Sequence, residues 1–252
     1  MENKISEKLS IVMNHPTPFK KVWWGIQNRV KTKINRILGR LWCFRTSISI
    51  DEAVKKITGH TIEEPFDETF AEYINAAKRR SGNVHRKSGS VNKDILYTLS
   101  EHIQATRVIE TGVAFGSSSL VFLASLHKRP GSLLLSTDIP LSGERSEAFG
   151  KAVPEELHDY WQVLVEDEGD KVALPKALQI LPEIDLCHYD SDKTPEGRWF
   201  AYPLLWEALR PGGIFISDDV NDNLAFAQFA KSVNREPIVA PRGAQYVGIL
   251  LK

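Results

Sequence analysis

From residue 91 to residue 252, short apolar runs alternate with helix-length segments, and no other feature constrains the fold as tightly. The pattern predicts helix over 91–103, strand over 107–110, helix over 117–127 and strand over 132–137. After a long connection, 141–159, come a strand at 162–165, a helix at 171–179, a strand at 184–189, a helix at 196–209, a strand at 213–217 and a helix at 223–233. Two last runs, 237–240 and 246–251, are joined by a turn at 241–244. Strands that alternate with helices pair in parallel, because each helix must carry the chain back across the sheet. The expected fold is α/β: a doubly wound, mostly parallel seven-stranded sheet with a C-terminal antiparallel hairpin. An α-helical N-terminal extension precedes it, and the division falls at 1–90 and 91–252.

The extension has its own character. Residues 11–50 contain no Asp or Glu but carry Lys20, Lys21, Arg29, Lys31, Lys33, Arg36, Arg40 and Arg45, so a chain of zero net charge has a basic arm and an acidic body. Over 18–42 the apolar positions Trp23, Ile26, Val30, Ile34, Ile37, Leu38 and Leu41 recur in steps of three and four, as on one side of a helix. Ser49 and Asp51 cap a short helix through Ile57, Pro65 precedes a helix over 67–80, and 81–90 reads as a loop. No apolar run in the opening is long enough for a signal peptide or a membrane span. Cys43 and Cys187 match no zinc spacing and form no disulfide framework, so a reducing cytoplasm is expected, with peripheral membrane contact through the basic helix as a further expectation.

The chemistry concentrates after the first strand of the alternation, where Glu110-Thr111-Gly112-Val113-Ala114-Phe115-Gly116-Ser117-Ser118 sets an acid before a glycine loop that opens into a helix. Such a loop lets the backbone approach a ligand, and the helix offers N–H groups to a carboxylate. A tight strand-to-helix turn needs glycine as well, so the loop by itself is weak. Asp138, at the end of the second strand, lies beside the loop and can accept both ribose hydroxyls of a nucleoside; a loop-start aspartate is the plainer alternative. The glycines stand as G-x-x-x-G rather than the G-x-G-x-x-G of dinucleotide enzymes, and no lysine follows as in a phosphate loop. The seven histidines combine into no ligand or catalytic motif, and His102 and His188 read as structural.

Taken in order, the loop after Glu110, Asp138, Gly169-Asp170 and the segment 209–220 resemble the class I S-adenosylmethionine-dependent methyltransferases, whose fold is Rossmann-like. The resemblance covers 91–252. It implies that Glu110, Gly112, Gly116 and Ser118 hold the methionine end of S-adenosyl-L-methionine, that Asp138 holds the ribose, and that Asp170 lies by the adenine. Through His188-Tyr189-Asp190-Ser191-Asp192-Lys193 and Phe215-Ile216-Ser217-Asp218-Asp219-Val220 the chain is most similar to the catechol-type and the sugar and antibiotic O-methyltransferases. That likeness implies Mg2+ or another divalent cation on Asp190, Asp218 and Asp219, with Lys193 as general base; Asp219 stands where the family often has Asn. Independently, these carboxylates sit at carboxyl ends of neighbouring strands, where three acids repel unless a cation joins them. A metal lowers the pKa of a bound hydroxyl, and a nearby amine can take its proton. Capping of the helix at 223 is the alternative use of Asp218 and Asp219.

The expected activity is therefore metal-assisted O-methylation of a small-molecule acceptor, a sugar or natural product. The acidic body argues against nucleic acid. The alternatives are a metal-independent N- or C-methyltransferase, or a nucleotide-binding scaffold that docks on a membrane or partner through its basic helix. That helix could equally pack on the body or in a homo-oligomer.

Overall fold

The structure, a computed structural model, describes residues 18–81 and 92–252, with the side chains of 18–31, 81 and 144–145 outside that description. Of the loop expected at 81–90, residues 82–90 lie outside it, as do the side chains of Trp23, Ile26 and Val30. In chain order the elements are α1 (Pro18–Thr46), α2 (Ile50–Thr58), α3 (Phe66–Thr69), α4 (Ala71–Ser81), α5 (Lys93–His102), β1 (Arg107–Thr111), α6 (Ser117–Leu126), β2 (Leu133–Asp138) and α7 (Glu144–Ala148). A 3-10 turn at Glu155–Tyr160 leads to β3 (Trp161–Val165), α8 (Asp170–Ile180), β4 (Ile184–Tyr189), α9 (Pro195–Ala208) and β5 (Leu209–Ser217). A second 3-10 turn, Val220–Asp222, precedes α10 (Ala225–Ser232), β6 (Ile238–Arg242) and β7 (Gln245–Leu251).

The sheet has seven strands in the order β3-β2-β1-β4-β5-β7-β6, with β7 antiparallel to both β5 and β6. The expected Rossmann-like sheet and its closing hairpin are both present. Alternation along each strand builds two cores: Val108, Leu134, Leu186 and Ile214 face one helical layer, while Ile109, Leu135, Cys187 and Phe215 face the other. Residues Ala53, Val54, Phe66, Ile74 and Ala77 of α2, α3 and α4 belong to the first core.

Register decides where the chemistry lies. Thr137, Thr111, Tyr189 and Ser217 form one row across β2, β1, β4 and β5. One residue beyond the row stand Asp138, Gly112, Asp190 and Asp218, along a single edge. Strand order reverses between β1 and β4, and the crevice outside such a switch point is where doubly wound sheets bind ligands.

Local departures from the sequence reading have identifiable causes. The helix expected at 67–80 breaks at Phe70, whose ring stacks on Phe66 at 4.7 Å and meets Tyr97 edge-on at 5.1 Å, so tertiary packing overrides helical continuity. Ser49 caps α2 in a reciprocal box with Glu52. The last helix begins at Ala225 and not at 223, because the 3-10 turn intervenes; Asn223 Oδ1 accepts the Ala225 N–H at 3.0 Å just before it.

Helix α1 runs to Thr46 and rests on the sheet edge through Gly39 and the buried Cys43. A Cβ at Gly39 would come within 2.6 Å of the Asn221 carbonyl oxygen, so only glycine lets the helix approach that turn. Ile48 N–H then donates to the Val239 carbonyl at 2.9 Å. Gly39→Val should lift α1 from the 220–222 turn, at a cost of about 1–3 kcal/mol. The expected readout is faster labelling of Cys43 by a thiol reagent under native conditions while Cys187 stays protected; unchanged labelling would show that the contact does not hold the helix.

Candidate active site

One cavity of about 860 Å3 opens along the edge of the sheet, near the upper end of the roughly 300–1,000 Å3 common for small-molecule sites. Gly112, Val113, Ala114, Ser117, Ser118, Asp138 and Asp170 line one part of it, and Asp190, Gly197, Phe200, Asp219 and Arg242 another. Leu141 and Ala148 of the long connection contribute to its wall. That connection is tied to the glycine loop by Gly150 N–H to the Ala114 carbonyl and Ala152 N–H to the Phe115 carbonyl, both at 3.0 Å. Arg80, at the end of α4, donates to the carbonyls of Lys151 and Ala152 at 2.8 and 2.7 Å.

The glycine loop is built as a cradle between two strand ends. Gly112 has φ +86° and lies so close to the next strand that a Cβ would stand 2.6 Å from the Asp190 carbonyl oxygen. Gly116, φ +84°, begins α6. Asp138 Oδ2 accepts the N–H groups of Val113 and Ala114, both at 2.8 Å, and Oδ1 accepts the Ile139 N–H at 2.7 Å. The aspartate expected at a ribose therefore also pins the loop. Each carboxylate oxygen has two lone-pair sites, so these bonds fill Oδ2 and leave Oδ1 acceptor capacity towards the cavity. Asp170 is turned to the same space, with its carboxyl raised by burial against the hydrogen bonds it accepts from Ser191 and Thr137.

Glu110 lies elsewhere. It is fully buried beneath the loop, where it accepts from Ser118, from Ser119 at 2.6 Å and from Ser136 at 2.8 Å, and it is not among the residues lining the cavity. It braces the first turn of α6 against the sheet, and Ser118 spends its hydroxyl on that brace.

Beyond the loop, Asp190, Asp218 and Asp219 converge as the topology requires. They meet as members of a chain of alternating charge. His188, the register partner of Glu110, has Nδ1 3.8 Å from Glu110 Oε1 and Nε2 3.6 Å from Asp218 Oδ2. Arg242, at the end of β6, forks: Nη1 reaches Asp218 Oδ2 and Nη2 reaches Asp219 Oδ1, both at 2.6 Å. Lys193 Nζ stands 3.5 Å from Asp219 Oδ2 and is hydrogen-bonded to Asp190. Burial raises Asp190 to about 6, aided by the charge on Asp218 and opposed by Lys193 and His188. Burial acts likewise on Asp218 but is outweighed by His188, Arg242 and Lys193, which hold its carboxyl below the usual range.

As they stand, these acids do not fit a divalent cation. A hard ion needs free carboxylate oxygens converging on one point, whereas the guanidinium of Arg242 already lies across Asp218 and Asp219. Among the described residues no group of three or more His, Cys, Asp or Glu side chains is arranged to hold a metal ion. The repulsion that the sequence left to a metal is answered here by Arg242, Lys193 and His188.

Arg242 and His188 escape the sequence reading for different reasons. Arg242 is separated from Asp219 by 22 intervening positions and joins it only because β7 inserts between β5 and β6. His188 does carry a signal: it alternates with Cys187 and Tyr189 onto the face of β4 that carries Leu186, opposite Glu110. Arg198, fully buried on α9, is a third such residue, donating to the carbonyls of Asp218 and Asp219 at 3.2 and 2.8 Å and so holding the turn at Asp219 with φ +54°.

The His188 imidazolium has a pH signature. Burial disfavours its charge, but Asp218 and Glu110 prevail and push its pKa up to about 10 from 6.5. The folded chain then holds a proton that the unfolded chain releases above pH 6.5, so this stabilisation is complete below that value and is lost as pH rises through about 10. Melting temperature should fall from pH 7 towards 10 more steeply in the wild type than in His188→Asn. Parallel curves would mean that the imidazole is neutral.

The chain is similar in fold to known methyltransferases. Residues 109–220 match the family model described as a methyltransferase domain. No curated protein matches the sequence. Among solved structures, the O-methyltransferase from Bacillus cereus in complex with SAH is 16% identical with a TM-score of 0.54, over 83% of this chain and 100% of that one. TomG from Streptomyces achromogenes, an O-methyltransferase involved in tomaymycin synthesis and solved in complex with SAM, is 17% identical with a TM-score of 0.51, over 82% and 96%. An SAH-bound methyltransferase from Podospora anserina is 13% identical with a TM-score of 0.52, over 90% and 94%. At these identities the likeness to solved structures is one of fold, and the family match covers under half of the chain. The chain thus has the fold of these methyltransferases, and its residues 109–220 match a methyltransferase domain.

Proposed function

We propose that the protein transfers the methyl group of S-adenosylmethionine to a hydroxyl of a small polar molecule, a sugar or natural product. The observation that carries this reading is a single cavity bordered on one side by the glycine loop, Asp138 and Asp170 and on the other by Asp190, Asp219 and Arg242, with Lys193 hydrogen-bonded to Asp190. When bound, the donor supplies a methyl already activated on a sulfonium, so the methyl–sulfur bond breaks as the oxygen–carbon bond forms. Gly112, Gly116 and Ser118 hold its methionine end, Asp138 its ribose, and Asp170 lies by its adenine. The brace of Glu110 on Ser118 and Ser119 keeps that loop in place.

The remaining task is to align the acceptor oxygen and remove its proton. Lys193 and Asp190 act as one unit at that oxygen: the Asp190 carboxylate takes the proton while the charged Lys193 beside it opposes build-up of negative charge. Arg242 holds the paired carboxylates of Asp218 and Asp219 in the position where the family likeness implied magnesium. O-methylation without a resident divalent cation fits these contacts better than metal-assisted transfer. Phe200 offers an apolar wall for the acceptor.

Donor binding is tested on Asp138→Ala by calorimetry with S-adenosylhomocysteine, where the expected loss is about 1.5–3 kcal/mol for paired charge-assisted hydrogen bonds. Unchanged affinity in a folded variant would remove Asp138 from the site. Catalysis is tested across a panel of hydroxylated acceptors. Lys193→Met should lower kcat by roughly 100-fold, the scale of removing one group that stabilises developing charge, while leaving donor affinity nearly unchanged, and the wild type should retain its rate in a chelator. Loss of turnover on chelation, restored by magnesium, would return the site to the metal-assisted mechanism.

A further inference from the structure

Over 32–46, where its side chains are described, helix α1 presents two apolar faces, and the described part of the body covers only one. Gly39 and Cys43 are buried against the sheet edge, with Trp42 half-buried beside them, 6.3 Å from the Phe226 ring. On the opposite side Ile34, Ile37, Leu41 and Phe44 are 50%, 58%, 48% and 76% exposed. Their steps of three, four and three residues place them on one line along the helix, about 180° from Gly39 at 100° per residue. Leu38, 43% exposed, widens the stripe.

The flanks of the stripe are cationic. Lys33 and Arg40 border it on one side and Arg45 on the other, all exposed, while Arg36 reaches back to Asp222 at 3.4 Å. No acidic residue lies anywhere in 11–50. The helix continues N-terminally to Pro18, and there the sequence repeats the pattern with Trp23, Ile26 and Val30 among Lys20, Lys21, Arg29 and Lys31. No described helix is long and apolar enough to cross a membrane. An apolar line bordered by lysine and arginine is the arrangement that lets a helix lie in a bilayer interface, with its side chains among the acyl chains and its cations at anionic headgroups.

We propose that the exposed face of α1 docks the protein on an anionic lipid surface, with the acidic body held away from the bilayer. Charge complementarity selects this occupant over a second copy of the chain: two such faces would bring Lys33, Arg40 and Arg45 of each copy against those of the other with no acid between them. The orientation also follows, since residues 51–252 carry a net charge of −8 and are repelled by the surface that attracts the arm. The helix packs at Asn221, two residues beyond the cavity-lining Asp219, so docking would hold the acceptor side of the cavity near the headgroups. This inference is independent of which acceptor the enzyme methylates.

The test is co-sedimentation of the full chain with phosphatidylcholine vesicles that contain about a third phosphatidylserine, against phosphatidylcholine alone. Binding is expected to the anionic vesicles only and to fall with added salt. The double variant Ile37→Asp/Leu41→Asp alters only exposed side chains and should keep the melting temperature while partition drops by roughly 10-fold or more; Arg40→Glu/Arg45→Glu should drop it similarly, at roughly fivefold for each basic residue near the surface. Absence of binding by the wild type would overturn the proposal, as would equal binding to neutral vesicles or binding that ignores the substitutions. A wild-type dimer that Ile37→Asp/Leu41→Asp converts to monomer would overturn it in favour of a second copy covering the stripe.

Discussion

The site depends on a run of alternating charge that crosses the sheet edge: Glu110, His188, Asp218, Arg242, Asp219, Lys193 and Asp190. Four of these groups are acids at or beside the carboxyl ends of strands, and Glu110 and Asp218 are buried. Without the three cations between them the acids would repel one another and become neutral or push the strand ends apart. With them, each carboxylate has a cation on at least one side, and the members fix one another's geometry. Breaking a buried pair by removing one partner leaves the other charge uncompensated, so the run behaves as one unit rather than as separable contacts.

This arrangement links the two halves of the cavity. Glu110 braces the first turn of α6 through Ser118 and Ser119, and through His188 the same carboxylate is coupled to Asp218 at the end of β5. Arg242 then joins the hairpin to that strand end, and Arg198 secures the backbone of Asp218 and Asp219 from the helical layer. The antiparallel hairpin thus helps to build the cavity, because it delivers the guanidinium that lies across Asp218 and Asp219. The same turn at 220–222 receives α1, so the arm and the site share a support.

The expectation of a divalent cation shows where reading by likeness stops. Asp190, Asp218 and Asp219 stand where the family likeness implied magnesium, and register brings them together. Metal binding depends further on what else reaches the same oxygens. Here Arg242 does, from a strand that the likeness did not mark.

What the sequence determined by itself was the alternation that demands a parallel sheet, the closing hairpin, the glycine loop before α6, and the placement of Asp138, Asp190 and Asp218 at strand ends. These are local matters: periodicity, turn residues and chain order suffice for them. It also showed the basic, acid-free arm and its apolar steps. Only the tertiary structure decided that Glu110 faces the interior as a brace, that Asp138 pins the loop it was expected to accompany, that Asp218 and Asp219 hold an arginine rather than cap a helix, and that α1 leaves one apolar face uncovered. Each is a question of which distant groups compete for the same lone pairs or the same surface. Sequence order cannot rank such competitors, because strand insertion and register bring together residues far apart along the chain, as β7 does for Arg242 and Asp219.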